Sequence, residues 1–269
     1  MLSKFLFGIL GYLLFRVYDL NRPTRKKAKI YDKIYPVYRA TIIGESIKLY
    51  CPNFRVFKRC DSFFRKEPET IEWISAFSPS DTLFDIGANI GLYSLLAAKK
   101  GLRVVAFEPE SQNFAVLNAN IFLNKLDSQI RALSLALADR NAFDYLHVPD
   151  FSSGTAFNQF GIGIKGPDGQ SRKTYKQAAI SYSLDAFIEM FCQQVPTHIK
   201  IDVDGIEAQI ISGAVKTMEN AEVKSILVEL NDNFAADKDA IKCILLKGFQ
   251  IISKSPKGET GWVNYIFSR

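Results

Sequence analysis

The sequence predicts an α/β protein: a mostly parallel sheet of seven strands that ends in a C-terminal antiparallel hairpin. Three observations predict it. From Thr82 onward the chain repeats strand, turn and helix, the signature of βαβ units on a parallel sheet. At 269 residues, 48% of them hydrophobic and 23% charged, the chain can bury the core of one large domain with extensions. The last two strand candidates are joined only by Ser255 to Trp262, rich in Pro, Lys and Gly, whereas a parallel crossover needs about a dozen residues.

In chain order, residues 1–29 hold an apolar run and a basic cluster. Phe5 to Phe15 is uncharged and lies between Lys4 and Arg16. As a helix it would span about 16 Å, roughly half of a hydrocarbon core. Arg16 and Asp19 follow closely with no small-residue cleavage pattern, which argues against a removed signal peptide. Three readings stand: a helix packed on its own domain or a partner, a signal anchor, or a peripheral membrane contact. In the last, Arg22, Arg25, Lys26, Lys27 and Lys29 would face anionic head groups.

Residues 30–66 read as a β-rich extension. Runs at Ala40 to Ile43, Ile47 to Tyr50 and Arg55 to Lys58 are separated by Gly44-Glu45 and Pro52-Asn53. The main domain, 67–269, opens with a helix at Glu67 to Phe77. Strands are expected at Thr82 to Asp85, Val104 to Glu108, Ile130 to Ala136, His198 to Asp202, Ser225 to Leu230, Gln250 to Lys254 and Val263 to Phe267. Helices are expected at Tyr93 to Lys100, Gln112 to Leu123, Leu184 to Cys192, Glu207 to Met218 and Asp237 to Lys247. No internal repeat is present.

The formal net charge of +6 is mild and comes partly from the N-terminal cluster, so no general nucleic-acid footprint follows. Cysteines at 51, 60, 192 and 243 form no CxxC pair. They read as free thiols of a reducing, cytoplasmic compartment, at the inner face of a membrane if residues 5–15 bind lipid.

The chemistry concentrates at Phe84-Asp85-Ile86-Gly87-Ala88-Asn89-Ile90-Gly91, between a strand and a helix, where open α/β sheets bind ligands. Gly87 and Gly91 allow a tight turn and close backbone approach. Asp85 can accept a hydrogen bond from the amino group of an amino-acid moiety. Glu108, ending the next strand, can accept from both ribose hydroxyls of an adenosine ligand. A dinucleotide site would also set a carboxylate about 20 residues past a glycine turn. Here the glycines stand four apart, GxGxxG is absent, and no basic residue in the turn awaits a phosphate.

FDIGANIGLYSLLAA, VVAFEPESQNFAVLNANIFLN and HIKIDVDGIEAQIISGA resemble the FkbM-type methyltransferase family in order and spacing, over about residues 67–255. The resemblance implies the class I, Rossmann-like methyltransferase fold and S-adenosylmethionine as cofactor. It also implies O-methylation of a hydroxyl on a sugar, glycolipid or other secondary metabolite, hence a small-molecule or glycan acceptor. Carried over, Asp85, Gly87, Asn89 and Gly91 form the methionine-side loop, Glu108 holds the ribose, and Ala136 and Asp139 line adenine. Asn113, Asn120 and Asn124 fall in the family's Asn-rich helix, where surface and capping roles are equally open. The family commonly has Glu where this chain has Asp204.

An alcohol acceptor is a weak nucleophile until its proton is drawn off, so a nearby acid or base is expected. Asp202, at the tip of the fourth strand, leads, with Asp204 and Glu207 just beyond; the last two would serve equally as helix caps. Asp202, Glu229 and Asp232 could instead hold Mg²⁺ with hard oxygen ligands. His147 is a second candidate base or a structural histidine. His198 lies about 13 Å from the strand tip and is set aside. Residues 149–172, rich in Gly, Ser, Asn and aromatics, read as an acceptor lid or as disorder. The tetrapeptide of adenine amino-methylases and a Pro-Cys nucleophile are both absent, so nucleic acid is not the expected substrate. The alternative from another class is a catalytically degenerate Rossmann-like module that binds at a membrane. An NAD-dependent oxidoreductase lacks both its phosphate loop and a Tyr-x-x-x-Lys pair.

Overall fold

The computed structural model describes residues 35–161, 163, 172–191, 194–258 and 261–269, without the side chain of Phe64. The expectations for the apolar run 5–15, the basic cluster 22–29, Cys192 and positions 162 and 164–171 of the expected lid lie outside the described residues. Among the described residues no helix is long and apolar enough to cross a membrane.

β1 (Val37–Ile42) and β2 (Glu45–Tyr50) form a two-stranded sheet. They are joined at Ile43 and Gly44, both at positive φ (49° and 80°), as a tight hairpin turn requires. The third expected run is a correction: Arg55 to Lys58 lies in α1 (Phe54–Lys66), not in a strand. Asn53 Oδ1 accepts the Val56 N–H at 2.8 Å, and Val56, Cys60 and Phe63 recur at helical spacing and are buried. The Pro52-Asn53 break is therefore a helix start rather than a hairpin turn. After Glu67 comes α2 (Pro68–Ser75), with Pro in its first turn, where a missing N–H costs nothing.

The chain then runs β3 (Thr82–Ile86), α3 (Leu92–Lys99), β4 (Arg103–Phe107), α4 (Ser111–Asn124), β5 (Ile130–Leu133), β6 (Ala136–Leu137), β7 (Ala142–Val148), β8 (Gln159–Phe160) and β9 (Tyr175–Tyr182). It continues with α5 (Leu184–Phe191), β10 (His198–Ile201), α6 (Glu207–Ser212), α7 (Val215–Glu219), β11 (Ser225–Asn231), α8 (Ala235–Leu246), β12 (Gln250–Pro256) and β13 (Trp262–Ser268). The seven-stranded sheet has the order β12-β13-β11-β10-β3-β4-β5. β11, β10, β3, β4 and β5 are parallel, and β13 is antiparallel to both β11 and β12, as the short final connection predicts. Alternate side chains feed two cores, Phe84 and Phe107 on one face, Leu83, Val104 and Ala106 on the other.

Two further expectations are corrected, and one strand is new. The strand read over Ile130 to Ala136 ends at Leu133, and Ala136 starts β6 in a separate four-stranded sheet, β6-β9-β7-β8. The helix read over Glu207 to Met218 breaks after Ser212, because Gly213 packs so close to the Ala138 carbonyl that a Cβ there would overlap it. β9 was not expected at all; its exposed positions, Tyr175, Lys176, Ala178 and Ile180, give no polar alternation to read.

Asparagines of α4 attach the small β1–β2 sheet. Asn120 Oδ1 accepts the Tyr50 N–H at 2.7 Å while its Nδ2 donates to the Ile90 carbonyl at 2.8 Å. Asn124 Oδ1 accepts from Lys48 N at 2.9 Å and its Nδ2 donates to Lys48 O at 2.7 Å. Two side-chain amides thus stand in for a neighbouring strand along β2.

Candidate active site

β3 delivers Asp85 and Ile86 to the carboxyl edge of the sheet, and the chain turns through Gly87 (φ 81°), Asn89 (φ 51°) and Gly91 (φ 85°) into α3. A Cβ at Gly87 would overlap the Asp202 carbonyl oxygen, and one at Gly91 would overlap the Leu117 side chain, so both positions need glycine for space as well as for φ. The Gly87 and Ala88 N–H groups each donate to Phe107 O at 3.0 Å. At the end of β4, Glu108 Oε2 accepts the Asn89 N–H and Oε1 the Glu110 N–H, both at 2.8 Å. Burial pushes the Glu108 carboxyl up to about 7 despite these donors. The Asn113 side chain adds a further favourable contact to the carboxylate.

Two cavities meet at Gly87. One is apolar, lined by Ile86, Phe107, Pro109, Ala136, Phe160 and Val203 with no lysine or arginine. The other is charged and is lined by Arg59, Lys66, Glu67, Asn89, Tyr93, Lys200 and Asp202.

Lys200 organises the charged cleft from beneath. Its fully buried Nζ stands 3.1 Å from Asp202 Oδ2 and 3.5 Å from Asp85 Oδ1, and 5.0 Å from the Tyr93 ring centre. Burial opposes its charge, but Asp202 and Asp85 outweigh it and hold the ammonium above its ordinary value. Burial would likewise raise Asp202, but Lys200 and Lys257 hold it well below the usual carboxylate range. Tyr93 donates to Glu67 Oε2 at 2.6 Å, and Lys257 bridges Glu67 (2.9 Å) and Glu229. Burial, then the Asp202 charge, pushes Glu229 up to about 7.

The remaining expected residues divide. Asp85 stands at its strand end but faces inward, accepting from Ser94 Oγ at 2.6 Å, with no hydrogen-bond partner on Oδ1. It braces the turn and does not line either cavity. Asp139 is exposed, pairs with its neighbour Arg140 and lines neither cavity. His147 lies on β7, in the separate four-stranded sheet, with its Nδ1 3.1 Å from Thr174 Oγ1. His198, stacked on Phe77 and bonded to Asp81 and Ser225, is a core residue that burial pushes down to about 4.

Glu207 is a turn brace: Oε1 accepts the Val203 N–H at 3.1 Å and Oε2 the Gly205 N–H at 2.9 Å, while burial pushes its carboxyl up to about 8. Asp204, at φ 65°, accepts the Phe157 N–H at 2.6 Å, and burial lifts it to about 6. Asp202, Glu229 and Asp232 do not assemble as a metal site. Each is matched to its own partner, Lys200, Lys257 and Tyr265 respectively. No group of three or more His, Cys, Asp or Glu that could hold a metal occurs among the described residues.

The described part of the expected lid closes over the turn. The Thr155 carbonyl accepts from Asn89 Nδ2 at 2.9 Å and from Asn113 Nδ2 at 3.1 Å, and Asn113 Oδ1 accepts the Gly154 N–H at 2.7 Å. From the other side, Arg59 Nε donates to Gly154 O at 2.7 Å.

The sequence profile of the methyltransferase FkbM domain matches residues 85–251, more than half of the chain, including the glycine turn, Glu108, Lys200 and Asp202. The chain belongs to the FkbM methyltransferase family. The 31-O-demethyl-FK506 methyltransferase FkbM of Streptomyces tacrolimicus is 24% identical over 208 residues, 65% of this chain and 75% of that one. A methyltransferase FkbM of Methylobacillus flagellatus superposes with a TM-score of 0.50 at 19% identity, over 72% of this chain; the chain spans 44% of that protein's length. The precorrin-6y C5,15-methyltransferase of Geobacter metallireducens gives 0.45 at 12% identity, over 76% of this chain and 89% of that one. The fold is accordingly the class I, Rossmann-like methyltransferase fold.

Three residues of the charged cluster escaped the sequence reading: Tyr93, inside the matched FkbM domain, and Glu67 and Lys257, which flank it in sequence. Lys257 sits in the final hairpin connection, 55 positions past Asp202 in sequence. Because β13 runs antiparallel to β11, pairing Trp262 with Asn231, that connection returns to the same edge as the other tips. Only the spacing of Glu67 immediately before a Pro-initiated helix offered a local signal, and it reads equally as a cap.

Proposed function

We propose that this methyltransferase takes S-adenosylmethionine as methyl donor and acts on a hydroxyl of a sugar, glycolipid or secondary metabolite. The observation that carries the donor assignment is the change of polarity across Gly87. An apolar cavity free of cations suits a purine without phosphates, and the adjoining cleft offers both signs of charge to a zwitterionic amino-acid tail. Glu108, whose carboxylate accepts the Asn89 and Glu110 N–H groups beside that turn, is the ribose acceptor of this reading, and the cradle at Gly87 would be filled by any Cβ. When bound, the cofactor supplies an electrophilic methyl group. Asp202, kept ionised by Lys200 and Lys257, then orients the acceptor hydroxyl and takes its proton. A hydroxyl undergoing alkylation becomes strongly acidic, so a weakly basic but fully ionised carboxylate suffices. The acids do not fit Mg²⁺, and no step here uses it.

Support for oxygen as the acceptor atom is the relative named for 31-O-demethyl-FK506. The reading as a degenerate binding module is not favoured, since Gly87, Gly91 and Glu108 are all in working geometry. Calorimetric titration with S-adenosylhomocysteine, beside NAD and a Glu108→Ala variant, tests the donor, and labelled methyl transfer to sugar and lipid-linked alcohols tests the acceptor. Binding of NAD instead, or no binding by folded wild-type protein, would overturn the donor assignment.

A further inference from the structure

Helix α1 presents two faces. Val56, Cys60 and Phe63 enter the core, whereas Phe54 and Phe57 project outward, 72% and 41% exposed, their rings stacked with centres 6.1 Å apart. Beside them Arg55 pairs with Asp150 at 2.7 Å, and the next residue, Phe151, is 56% exposed and packs edge-on against Tyr175, itself exposed. Four large rings, three of them phenylalanines with no polar group, therefore stand on one surface on either side of a single ion pair.

The charge around these rings is one-sided. α1 carries Arg55, Lys58, Arg59, Arg65 and Lys66 against Asp61 alone, and Arg172, Lys173 and Lys176 flank Tyr175. Both acids on this surface are already matched, Asp150 by Arg55 and Asp61 by Arg65. Lys58 lies 5.6 Å from the Phe54 ring centre, a cation set against one of these rings. Aromatics that can enter an acyl boundary, set among an excess of lysines and arginines over acids, are the composition of an interfacial helix on an anionic bilayer. An RNA partner would match the charge, but three unpolar rings held outward suit hydrocarbon better.

We propose that this surface, Phe54, Phe57, Phe151 and Tyr175 with their cations, docks on an anionic membrane. Further along α1, Arg59, Ser62, Phe63 and Lys66 line the charged cleft, so docking holds the cleft mouth at the lipid headgroups. The inference is independent of the donor and acceptor assignments and fails or stands separately from them.

The test is flotation of the full chain with vesicles of phosphatidylglycerol and phosphatidylcholine, and of phosphatidylcholine alone, beside a single-stranded RNA 30-mer. Two double variants are compared, Phe54→Ser/Phe57→Ser and Lys58→Glu/Lys173→Glu, each checked for unchanged melting temperature. A Phe122→Ser variant serves as control, its exposed ring lying on α4. The expected result is binding to the anionic vesicles only, weakened about tenfold or more by either double variant and by raised salt, and unaltered in the control. Equal binding by the Phe54/Phe57 variant, no binding by wild type, or binding of the RNA in place of vesicles would each overturn the proposal.

Discussion

The Glu108 carboxylate accepts the backbone N–H of Asn89 at 2.8 Å, tying the tip of β4 to the glycine turn after β3. The expected ribose acceptor is thus also the clasp of the loop beneath the ligand. Ligand hydroxyls favour the ionised form of a carboxyl that burial lifts to about 7, so affinity for S-adenosylhomocysteine is expected to rise as pH passes upward through about 7 and then level off. Calorimetry from pH 6 to 8.5 checks this, and Glu108→Gln should both weaken binding and flatten the profile. A wild-type profile already flat across that range would count against the assignment.

Stability should depend on pH in the same region. Glu108 and Glu207, lifted by burial to about 7 and about 8, contribute stability that is complete below their unfolded value near 4.3 and is lost as pH rises through 7 to 8. Asp202 is depressed, so its contribution is present above about 4 and is lost as pH falls toward its folded value. The ligand-free protein is therefore expected to melt highest near pH 5, and roughly 5 °C or more lower at pH 8.5. Differential scanning calorimetry across buffers measures the slope, which Glu207→Gln should reduce.

The two glycines are not equivalent. At Gly87 a Cβ meets a backbone carbonyl, which cannot rotate away, whereas at Gly91 it meets the tip of Leu117, which can. Gly87→Ala is expected to cost about 3 kcal/mol or more, and Gly91→Ala about 1–2 kcal/mol. Denaturant unfolding of the two variants gives the comparison; equal losses would mean the turn is looser than its contacts imply.

Lys200 neutralises Asp85 and Asp202 together, so Lys200→Met leaves two buried acids without their cation. The expected loss is about 3–5 kcal/mol, partly restored when Asp85→Asn is added. A double-mutant cycle reads the coupling directly. In turnover, Asp202→Asn should lower kcat about a hundredfold or more, while Glu207→Gln, whose carboxylate braces the turn, should leave kcat near wild type.

Asn113 clamps the segment over the turn with both ends of its amide. Asn113→Ala is expected to speed dissociation of S-adenosylhomocysteine about tenfold while shifting the melting temperature by only a few degrees. Stopped-flow displacement separates this from a general loss of fold.

Local chemistry carried much of the fold and half of the site. The strand-turn-helix rhythm, the two glycines and the short final connection are properties of neighbouring residues, so the parallel sheet, its terminal hairpin, the turn at Gly87 and the acid at Glu108 could all be read along the chain. Arg55 to Lys58 could not, because a β-like composition was outvoted by Asn53 as cap and by core contacts at helical spacing. Which acids face the cleft was decided only in three dimensions. Asp85, Asp202, Asp204, Glu207 and Glu229 are alike in sequence, but Ser94, Lys200, Phe157, the Val203–Gly205 backbone and Lys257 assign each a different partner. A carboxylate's role follows from its burial and its donors, and these come from segments as distant as Glu67 and Lys257, brought to one sheet edge by the antiparallel return of β13.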